Sequence, residues 1–119
     1  ITHYDEFFMD DAEYAVLSYG GVARTAYEAV RQAREKGIKV GMIRLMTSWP
    51  FADKVIRRNA EKLKGILVPE LNYGQLKYEV ERAAAGKCPV KLLAKYNTEI
   101  FTPSEILKAI ENLEGGRIL

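Results

Sequence analysis

The sequence predicts a single α/β domain built around a mostly parallel sheet. Apolar runs of strand length alternate with segments whose apolar residues recur at helical spacing, and glycine or proline stands at most of the boundaries. A strand, helix, strand succession implies right-handed crossovers between parallel strands. The 119 residues have the length of one domain with one core, so we expect residues 1–119 to form a single unit.

The first half of the chain contains three predicted strands and one predicted helix. In chain order these are strands at residues 4–9, 14–19 and 38–45 and a helix at residues 22–36. The first strand lies within a lead-in of residues 1–10. It mixes aromatic with acidic residues, which is typical of a short edge strand. Gly37 ends the helix after a basic last turn, and Gly41 indicates close packing of the third strand against other backbone.

The second half continues the alternation and ends in a helix. The predicted elements are a helix at residues 52–64, a strand at 65–68, a helix from residue 72 to Gly86, a strand at 88–94 and a helix from residue 103 to Gly115. The last helix has the strongest start signal. Thr102 is placed as N-cap, Pro103 takes the first helical position, and Glu105 closes a capping box.

The stretch from Gly65 to Gln75 organises the predicted domain. Pro69 has no N–H to donate to the ladder, so we expect the buried strand to end there. Asn72 then serves as N-cap of the next helix, with Gln75 three residues later in a capping box. Glu70 lies just beyond the strand, where open α/β sheets place ligands and partners. A purely structural role for these residues, as a helix start, is the alternative.

Gly20 and Gly21 form a tight turn between the second strand and the helix that follows. Free N–H groups at the helix start could bind an anion next to Arg24 and Thr25. However, the pattern lacks the further glycines of the dinucleotide fingerprint and of the Walker loop. A phosphate or other anion site is therefore one interpretation, and a structural turn is the other.

A loop with two aromatic residues follows the third strand. Trp49 and Phe51 flank Pro50, and exposed aromatic residues of this kind can anchor an interface. They could equally fold back over the core as a lid, since burial would satisfy both rings. The next helix carries basic residues on its outer face, and solvated surface explains these charges most simply.

Composition excludes several classes of function. A formal net charge of +2 is too small to indicate a nucleic-acid partner, and no apolar run approaches the roughly 20 residues that a bilayer requires. One cysteine, Cys88, and one histidine, His3, cannot build an iron–sulfur cluster or a Cys/His zinc site. His3 is also poorly placed for a catalytic triad. The first residues show no signal-peptide pattern, so we expect a cytoplasmic protein without a membrane partner.

Three motifs together carry a family resemblance. They are Ser-Tyr-Gly-Gly-Val-Ala-Arg at residues 18–24, Ile-Arg-Leu at 43–45 leading to Trp-Pro-Phe at 49–51, and Val-Pro-Glu-Leu-Asn-Tyr-Gly-Gln at 68–75. They resemble the C-terminal domain of the α subunit of 2-oxoacid:ferredoxin oxidoreductases, with the 2-oxoglutarate type most similar. The first residue is Ile rather than Met, so we expect a piece of a longer α subunit.

The resemblance implies a fold like the transketolase C-terminal domain. That fold is a three-layer α/β/α arrangement with a five-stranded sheet in the order 1-3-2-4-5 and strand 1 antiparallel to the rest. This order makes strands 2 and 4 neighbours whose crossovers leave in opposite directions, so a crevice should open between their carboxyl ends. Gly20, Gly21 and Arg24 would line one side of the crevice, and Glu70, Asn72 and Gln75 would line the other.

The resemblance also implies a function for the complete enzyme. Such enzymes decarboxylate a 2-oxoacid on thiamine diphosphate, pass electrons through iron–sulfur clusters to ferredoxin, and deliver the acyl group to coenzyme A. The diphosphate and Mg²⁺ sit on a partner β subunit. This chain has no Gly-Asp-Gly sequence to begin a thiamine diphosphate motif and no cysteine cluster. We therefore expect no cofactor, metal or catalytic residue on this chain itself.

Three hypotheses follow for the chain's own role. The first is a noncatalytic assembly domain, with interface residues in the loop 49–51 and at Glu70, Asn72, Tyr73, Gly74 and Gln75. The second is a stand-alone module that binds a small anion, such as a phosphate of coenzyme A. The third, a receiver-like switch, ranks last because such a switch needs acidic residues after a strand, and Asp10 and Asp11 precede one.

Overall fold

The computed structural model describes residues 3–47, 51–71, 74–95 and 100–115. The strands are β1 (Tyr4–Phe7), β2 (Tyr14–Tyr19), β3 (Val40–Leu45), β4 (Gly65–Glu70) and β5 (Val90–Ala94), and the helices are α1 (Val22–Glu35), α2 (Asp53–Ala60), α3 (Gln75–Ala84) and α4 (Pro103–Glu114). The sheet order is β1-β3-β2-β4-β5. β1 runs antiparallel to β3, and the other pairs are parallel. The order and the direction of β1 are those implied by the resemblance.

Two helices cover each face of the sheet because successive strand residues point to opposite faces. One core contains Leu17, Ile43 and Ile66, and the apolar sides of α2 and α3 pack on it. The other core contains Val16 and Met42, and α1 and α4 pack on it. The crossover through α1 therefore lies on one face and the crossover through α3 on the other. This confirms the predicted three-layer α/β/α architecture.

The final helix begins as its sequence predicts. The Thr102 hydroxyl accepts a hydrogen bond from the Glu105 N–H at 3.3 Å, and the Glu105 carboxylate accepts one from the Thr102 N–H at 2.9 Å. Pro103 takes the first position, where its missing N–H leaves no intrahelical bond unmade. The predicted capping box is confirmed.

Gly41 lies where β3 passes close to the chain that leaves β1. A Cβ at this position would meet the Met9 Sδ atom, and it would lie 2.9 Å from the Phe8 carbonyl oxygen. Real Cβ atoms rarely come that near to backbone, so only glycine fits without movement. The close packing predicted at Gly41 is confirmed. Phe8 has φ 58°, which is left-handed, and it ends β1 before the predicted end at Met9.

Three further element boundaries differ from the sequence prediction in ways that have a physical cause. α2 ends at Ala60 rather than near Lys64, because the Lys62 and Leu63 N–H groups both donate to the Asn59 carbonyl. This turn brings Leu63 into the core without a further helical turn. The predicted start of α3 at Asn72 and the predicted end of β4 before Pro69 are also wrong, and both concern the candidate site described next.

Candidate functional site

β2 and β4 separate at their carboxyl ends. β2 pairs with β3 along its whole length, to Tyr19 opposite Leu45. It pairs with β4 only as far as Val16 opposite Leu67. The two central strands therefore diverge over their last residues, at the point where the crossovers leave in opposite directions. A gap at this place is the expected ligand or partner position of an open α/β sheet.

Pro69 lies inside β4 and faces this gap. Peptide groups along a strand alternate between its two neighbours. The Ile66 N–H donates to the Pro89 carbonyl on the β5 side, and the Glu70 carbonyl accepts from the Lys95 N–H on the same side. Even-numbered residues of β4 therefore direct their peptide groups toward β5, and odd-numbered residues direct theirs toward β2. The missing N–H of Pro69 falls on the β2 side, beyond the last β2–β4 pair, which is at Leu67. The prediction that β4 ends before Pro69 is wrong because no ladder bond is required there.

The two predicted turns meet at one cavity. A cavity of about 260 Å³ is lined by Tyr19, Gly20 and Gly21 from the β2 side and by Pro69, Glu70 and Leu71 from the β4 side. Arg24 does not line this cavity, and Asn72 and Tyr73 lie outside the described residues. The structure thus brings together Gly20, Gly21 and Glu70, as the strand order requires.

Glu70 caps helix α3. One carboxylate oxygen, Oε1, accepts a hydrogen bond from the Leu76 N–H at 2.6 Å, and Oε2 lies 3.4 Å from the Lys77 nitrogen. These are the donors of the second and third helical positions, which an N-cap side chain normally satisfies. The negative charge also lies at the positive end of the helix dipole. Glu70 is only 9% exposed, so its carboxylate is largely committed to this contact.

The start of α3 therefore differs from the predicted start. Gly74 is the N-cap residue, with a left-handed φ of 87° that glycine adopts without strain, and Gln75 is the first helical residue. Gln75 is not in the third position, so the predicted capping box with Asn72 does not form. A carboxylate from the preceding strand satisfies the donors instead.

A second cavity, of about 230 Å³, continues along the same edge. Tyr19, Glu70 and Gln75 line it, together with Phe51. Phe51 is half-buried and packs against the core, and the Arg82 guanidinium lies 5.9 Å from the centre of its ring. Of the two interpretations of the aromatic loop, the inward one describes Phe51. Trp49 and Pro50 lie outside the described residues, so their interface role stays a prediction.

Four of the six large apolar side chains that are exposed among the described residues lie at the carboxyl edge, the end of the sheet where β2, β3, β4 and β5 finish. The other two, Phe8 and Tyr27, lie near the end of β1, with their ring centroids 6.0 Å apart. Tyr19 is the last residue of β2 and Met46 follows β3, and these side chains are 43% and 50% exposed. Tyr78, in the first turn of α3, is 63% exposed, and Ile100, just before α4, is 73% exposed. All four come from segments that leave or enter the sheet at its carboxyl end. Exposed apolar groups concentrated in one region indicate an interaction surface.

A separate pocket of about 490 Å³ lies on the α1 side of the sheet. Gly20, Gly21 and Arg24 line it, and so do Arg44 and the rings of Phe7 and Tyr27. Three of the four predicted anion-site residues therefore share one pocket, whereas Thr25 does not line it. Sequence reasoning missed Arg44, because a single arginine in an apolar strand has no local signal of function.

The remaining candidates for chemistry are few. Cys88 is buried, and burial raises the pKa of its thiol, which disfavours the reactive thiolate. Within the described ranges, no three His, Cys, Asp or Glu side chains come together as a metal site would need. The same part of the chain contains no helix that is both long and apolar enough to span a bilayer.

Residues 12–106 match the family described as pyruvate:ferredoxin oxidoreductase core domain II. The chain belongs to this family. The membership confirms the resemblance that the three sequence motifs carry.

Curated and solved relatives of this core domain II agree with the assignment. The 2-oxoglutarate synthase subunit KorA of Methanothermobacter marburgensis is 44% identical over 105 residues, which are 88% of this chain and 28% of that protein. The 2-oxoglutarate:ferredoxin oxidoreductase from Magnetococcus marinus, solved with 2-oxoglutarate, coenzyme A and succinyl-CoA bound, has a TM-score of 0.80 at 20% identity, covering 92% of this chain and 19% of that one.

A split-gene transketolase, solved as an inactive tetramer, has a TM-score of 0.77 at 14% identity and covers 92% of this chain and 40% of that one. At such identities the two solved structures show the fold alone. They agree with the transketolase-like arrangement of this core domain II. The chain spans less than a third of the length of the curated relative that it matches.

Proposed function

We propose that this chain is the C-terminal domain of the α subunit of a thiamine diphosphate-dependent 2-oxoacid:ferredoxin oxidoreductase. The complete enzyme would convert a 2-oxoacid to an acyl-CoA and reduce ferredoxin. The observation that carries the proposal is the family match over residues 12–106, joined to 44% identity with a 2-oxoglutarate synthase subunit. These relatives favour an enzyme subunit over a stand-alone binding module.

In this proposal the chain supplies no catalytic group. An iron–sulfur cluster takes about four cysteine thiolates, and the sequence has one cysteine, which is buried. Among the described residues, no cluster of acidic or histidine side chains fits Mg²⁺ with its diphosphate. Thiamine diphosphate, Mg²⁺ and the clusters would therefore be held by other parts of the complex.

The proposed role of the chain is to hold those parts together at the carboxyl edge. The exposed Tyr19, Met46 and Tyr78 provide apolar contact area there, and the Glu70 cap fixes the direction of α3 beside them. The loop 49–51 and the turn 70–75 would contribute to the same interface, with the thiamine diphosphate-binding β subunit as the expected partner. A reducing compartment such as the cytoplasm stays a prediction from the sequence.

Reconstitution tests the proposed function. The chain alone, and the complete complex that contains it, would be assayed for ferredoxin reduction with 2-oxoglutarate and coenzyme A. We expect turnover only from the complex, and we expect no binding of thiamine diphosphate to the chain alone. Turnover by the isolated chain would contradict the proposal.

Edge variants test the proposed interface within the same complex. Tyr19→Ser and Tyr78→Ser should weaken co-purification with the other subunits, because each removes exposed apolar contact area. Phe8→Ser is the control, since Phe8 is a large apolar side chain, 41% exposed, that lies beyond the end of β1 beside Gly41, at the opposite end of the sheet. Equal loss with all three variants, or loss with the control alone, would contradict an interface at the carboxyl edge.

A further inference from the structure

The pocket on the α1 side of the sheet has the volume of a small-molecule site. Its volume of about 490 Å³ falls in the range of roughly 300–1,000 Å³ that ligand pockets occupy. It lies between the first turns of α1 and the β1–β3 edge, and none of its described lining residues is a carboxylate. This pocket is separate from the cavity of about 260 Å³ at the β2–β4 gap, although Gly20 and Gly21 line both.

Two arginines give the pocket its charge. Within the described ranges, Arg24 makes no hydrogen bond or ion pair, whereas α1's other arginines, Arg31 and Arg34, are both engaged with carboxylates. Arg44 has one long ion pair, with its Nη1 atom 3.7 Å from Asp5, and both side chains are nearly half exposed. An exposed pair of this length stabilises little, so Arg44 remains available for an anion.

The start of α1 adds to this positive potential. Gly21 is the N-cap residue and offers no side-chain acceptor, and the first turn contains no acidic residue. No acidic side chain of α1 itself therefore compensates the positive end of the helix dipole. Gly21 has no atom within 4 Å of an added Cβ, so the helix start is open on the side where a side chain would project.

The other walls of the pocket are apolar. Phe7 and Tyr27 meet edge to face, with ring centroids 5.2 Å apart and planes at 76°, and Met42 lies beside them in the lining. A bare inorganic ion would leave this apolar surface uncovered. A ligand with both an anionic group and a ring or other apolar part would use the whole pocket.

We propose that this pocket binds an organic phosphate. The phosphate group would lie between Arg24 and Arg44 at the Gly20-Gly21 turn, and its apolar or aromatic part would lie against Phe7, Tyr27 and Met42. Guanidinium groups match phosphate oxygens in geometry and form charge-assisted hydrogen bonds with them. This site goes beyond the proposed assembly function and does not depend on it, so either can fail without the other.

Calorimetry with defined probes tests the site. The 119-residue chain would be titrated with phenyl phosphate, inorganic phosphate and phenol at low salt. We expect phenyl phosphate to bind more tightly than inorganic phosphate and phenol not to bind, because the charge and the ring both contribute. Added salt should weaken the binding, since the arginines are exposed. No binding of phenyl phosphate, or equal binding of phenol, would overturn the proposal.

Charge-removing variants localise the binding. Arg24→Gln and Arg44→Gln should each weaken phenyl phosphate binding by about tenfold, the effect of losing one charge-assisted hydrogen bond. Arg31→Gln is the matched control, because it removes the same charge from α1 two turns further on and outside the pocket lining. An equal loss with Arg31→Gln would show diffuse attraction to a basic surface and would overturn the proposed site.

Gly21→Asp separates loss of the site from loss of the fold. Gly21 has φ −66°, and an added side chain meets no atom within 4 Å, so the substitution is sterically allowed. A carboxylate at the helix start should maintain or raise the melting temperature through the dipole. The same carboxylate should abolish phenyl phosphate binding by repelling the phosphate. Undiminished binding in this folded variant would place any phosphate site elsewhere.

Discussion

Hydrogen bonds and ion pairs join the segments at the amino edge of the sheet, where β2 to β5 begin, whereas β2 and β4 diverge at the carboxyl edge and four large apolar side chains are exposed there. At the amino edge, the Arg34 guanidinium donates to the Phe8 and Val40 carbonyls and to Asp11 at 2.6–2.8 Å. Lys64 joins Glu13 through both backbone and side chain. At the carboxyl edge, β2 and β4 diverge and Tyr19 and Tyr78 face solvent. We therefore assign a stabilising role to the amino edge and contacts with other molecules to the carboxyl edge.

Glycine substitutions should show the largest difference between the edges. Gly41→Ala would press a Cβ against the Phe8 carbonyl and the Met9 sulfur, and we expect it to lower the free energy of unfolding by about 3 kcal/mol. Gly21→Ala at the other edge has open space and should change it by less than about 1 kcal/mol. Urea denaturation measures both. Equal changes in the free energy of unfolding for the two variants would contradict the assignment of stability to the amino edge.

Arg34→Ala should be the next largest effect. It removes two hydrogen bonds to backbone carbonyls and an ion pair that join α1 to β1 and β3, so we expect a loss of about 2 kcal/mol. Arg31→Ala, on the same helix, breaks only exposed pairs with Glu28 and Glu35 and should cost under about 0.5 kcal/mol. If the two variants unfold at the same urea concentration, Arg34 does not hold the amino edge closed.

Glu70→Ala should have a smaller effect, confined to the carboxyl edge. Losing the cap of α3 should lower the free energy of unfolding by about 1 kcal/mol, and it should speed hydrogen exchange at the Leu76 and Lys77 amides. Glu79→Ala is the control, because this exposed residue of α3 forms a surface ion pair with Arg82 and does not cap the helix. Unchanged exchange at both amides in Glu70→Ala would contradict the capping contact.

Acid should weaken the domain through surface carboxyl groups. Hydrogen bonds from Arg34, Arg82 and Lys95 lower the pKa of Asp11, Asp53 and Glu105 respectively, in each case as the largest cause. A lowered pKa means that the folded state binds fewer protons than the unfolded chain below neutral pH. Their contribution is therefore complete above the unfolded pKa values of about 4 and is lost as pH falls through the folded values.

The melting temperature should accordingly be flat from pH 6 to pH 8 and should fall below about pH 4. Glu105→Gln should reduce this fall slightly, since glutamine keeps an acceptor for the capping box and removes the titrating group. Glu114→Gln, near the end of the same helix, serves as the control. An acid-induced fall that is identical in Glu105→Gln and the unsubstituted chain would exclude Glu105 as a contributor.

The elements followed from local patterns, and their arrangement followed from the family resemblance. Helical periodicity and short apolar runs located the helices and strands β2 to β5, whereas β1 was predicted from a mixture of aromatic and acidic residues. Thr102 with Glu105 fixed the start of α4 because a capping box is a contact over three residues. The order β1-β3-β2-β4-β5 depends on contacts between distant segments, which periodicity does not encode. The three motifs supplied that order through the resemblance.

The candidate site was only partly predictable for the same reason. Gly20, Gly21 and Glu70 were placed at the gap because the strand order brings the two turns together. The capping of α3 by Glu70 was missed, since a carboxylate six residues before its partner N–H lies outside the usual capping pattern. Arg44 was missed because its place in the same pocket as Arg24 arises from strand register and helix packing, neither of which a local pattern shows.

The most direct test of these two roles is amide hydrogen exchange, measured on the free chain and on the chain assembled with its partner subunits. We expect assembly to protect the amides of residues 19–21, 70–71 and 74–78 from exchange and to leave those of residues 10–13 and 61–64 unchanged. Protection concentrated at residues 10–13 and 61–64, with none at the carboxyl edge, would contradict this expectation.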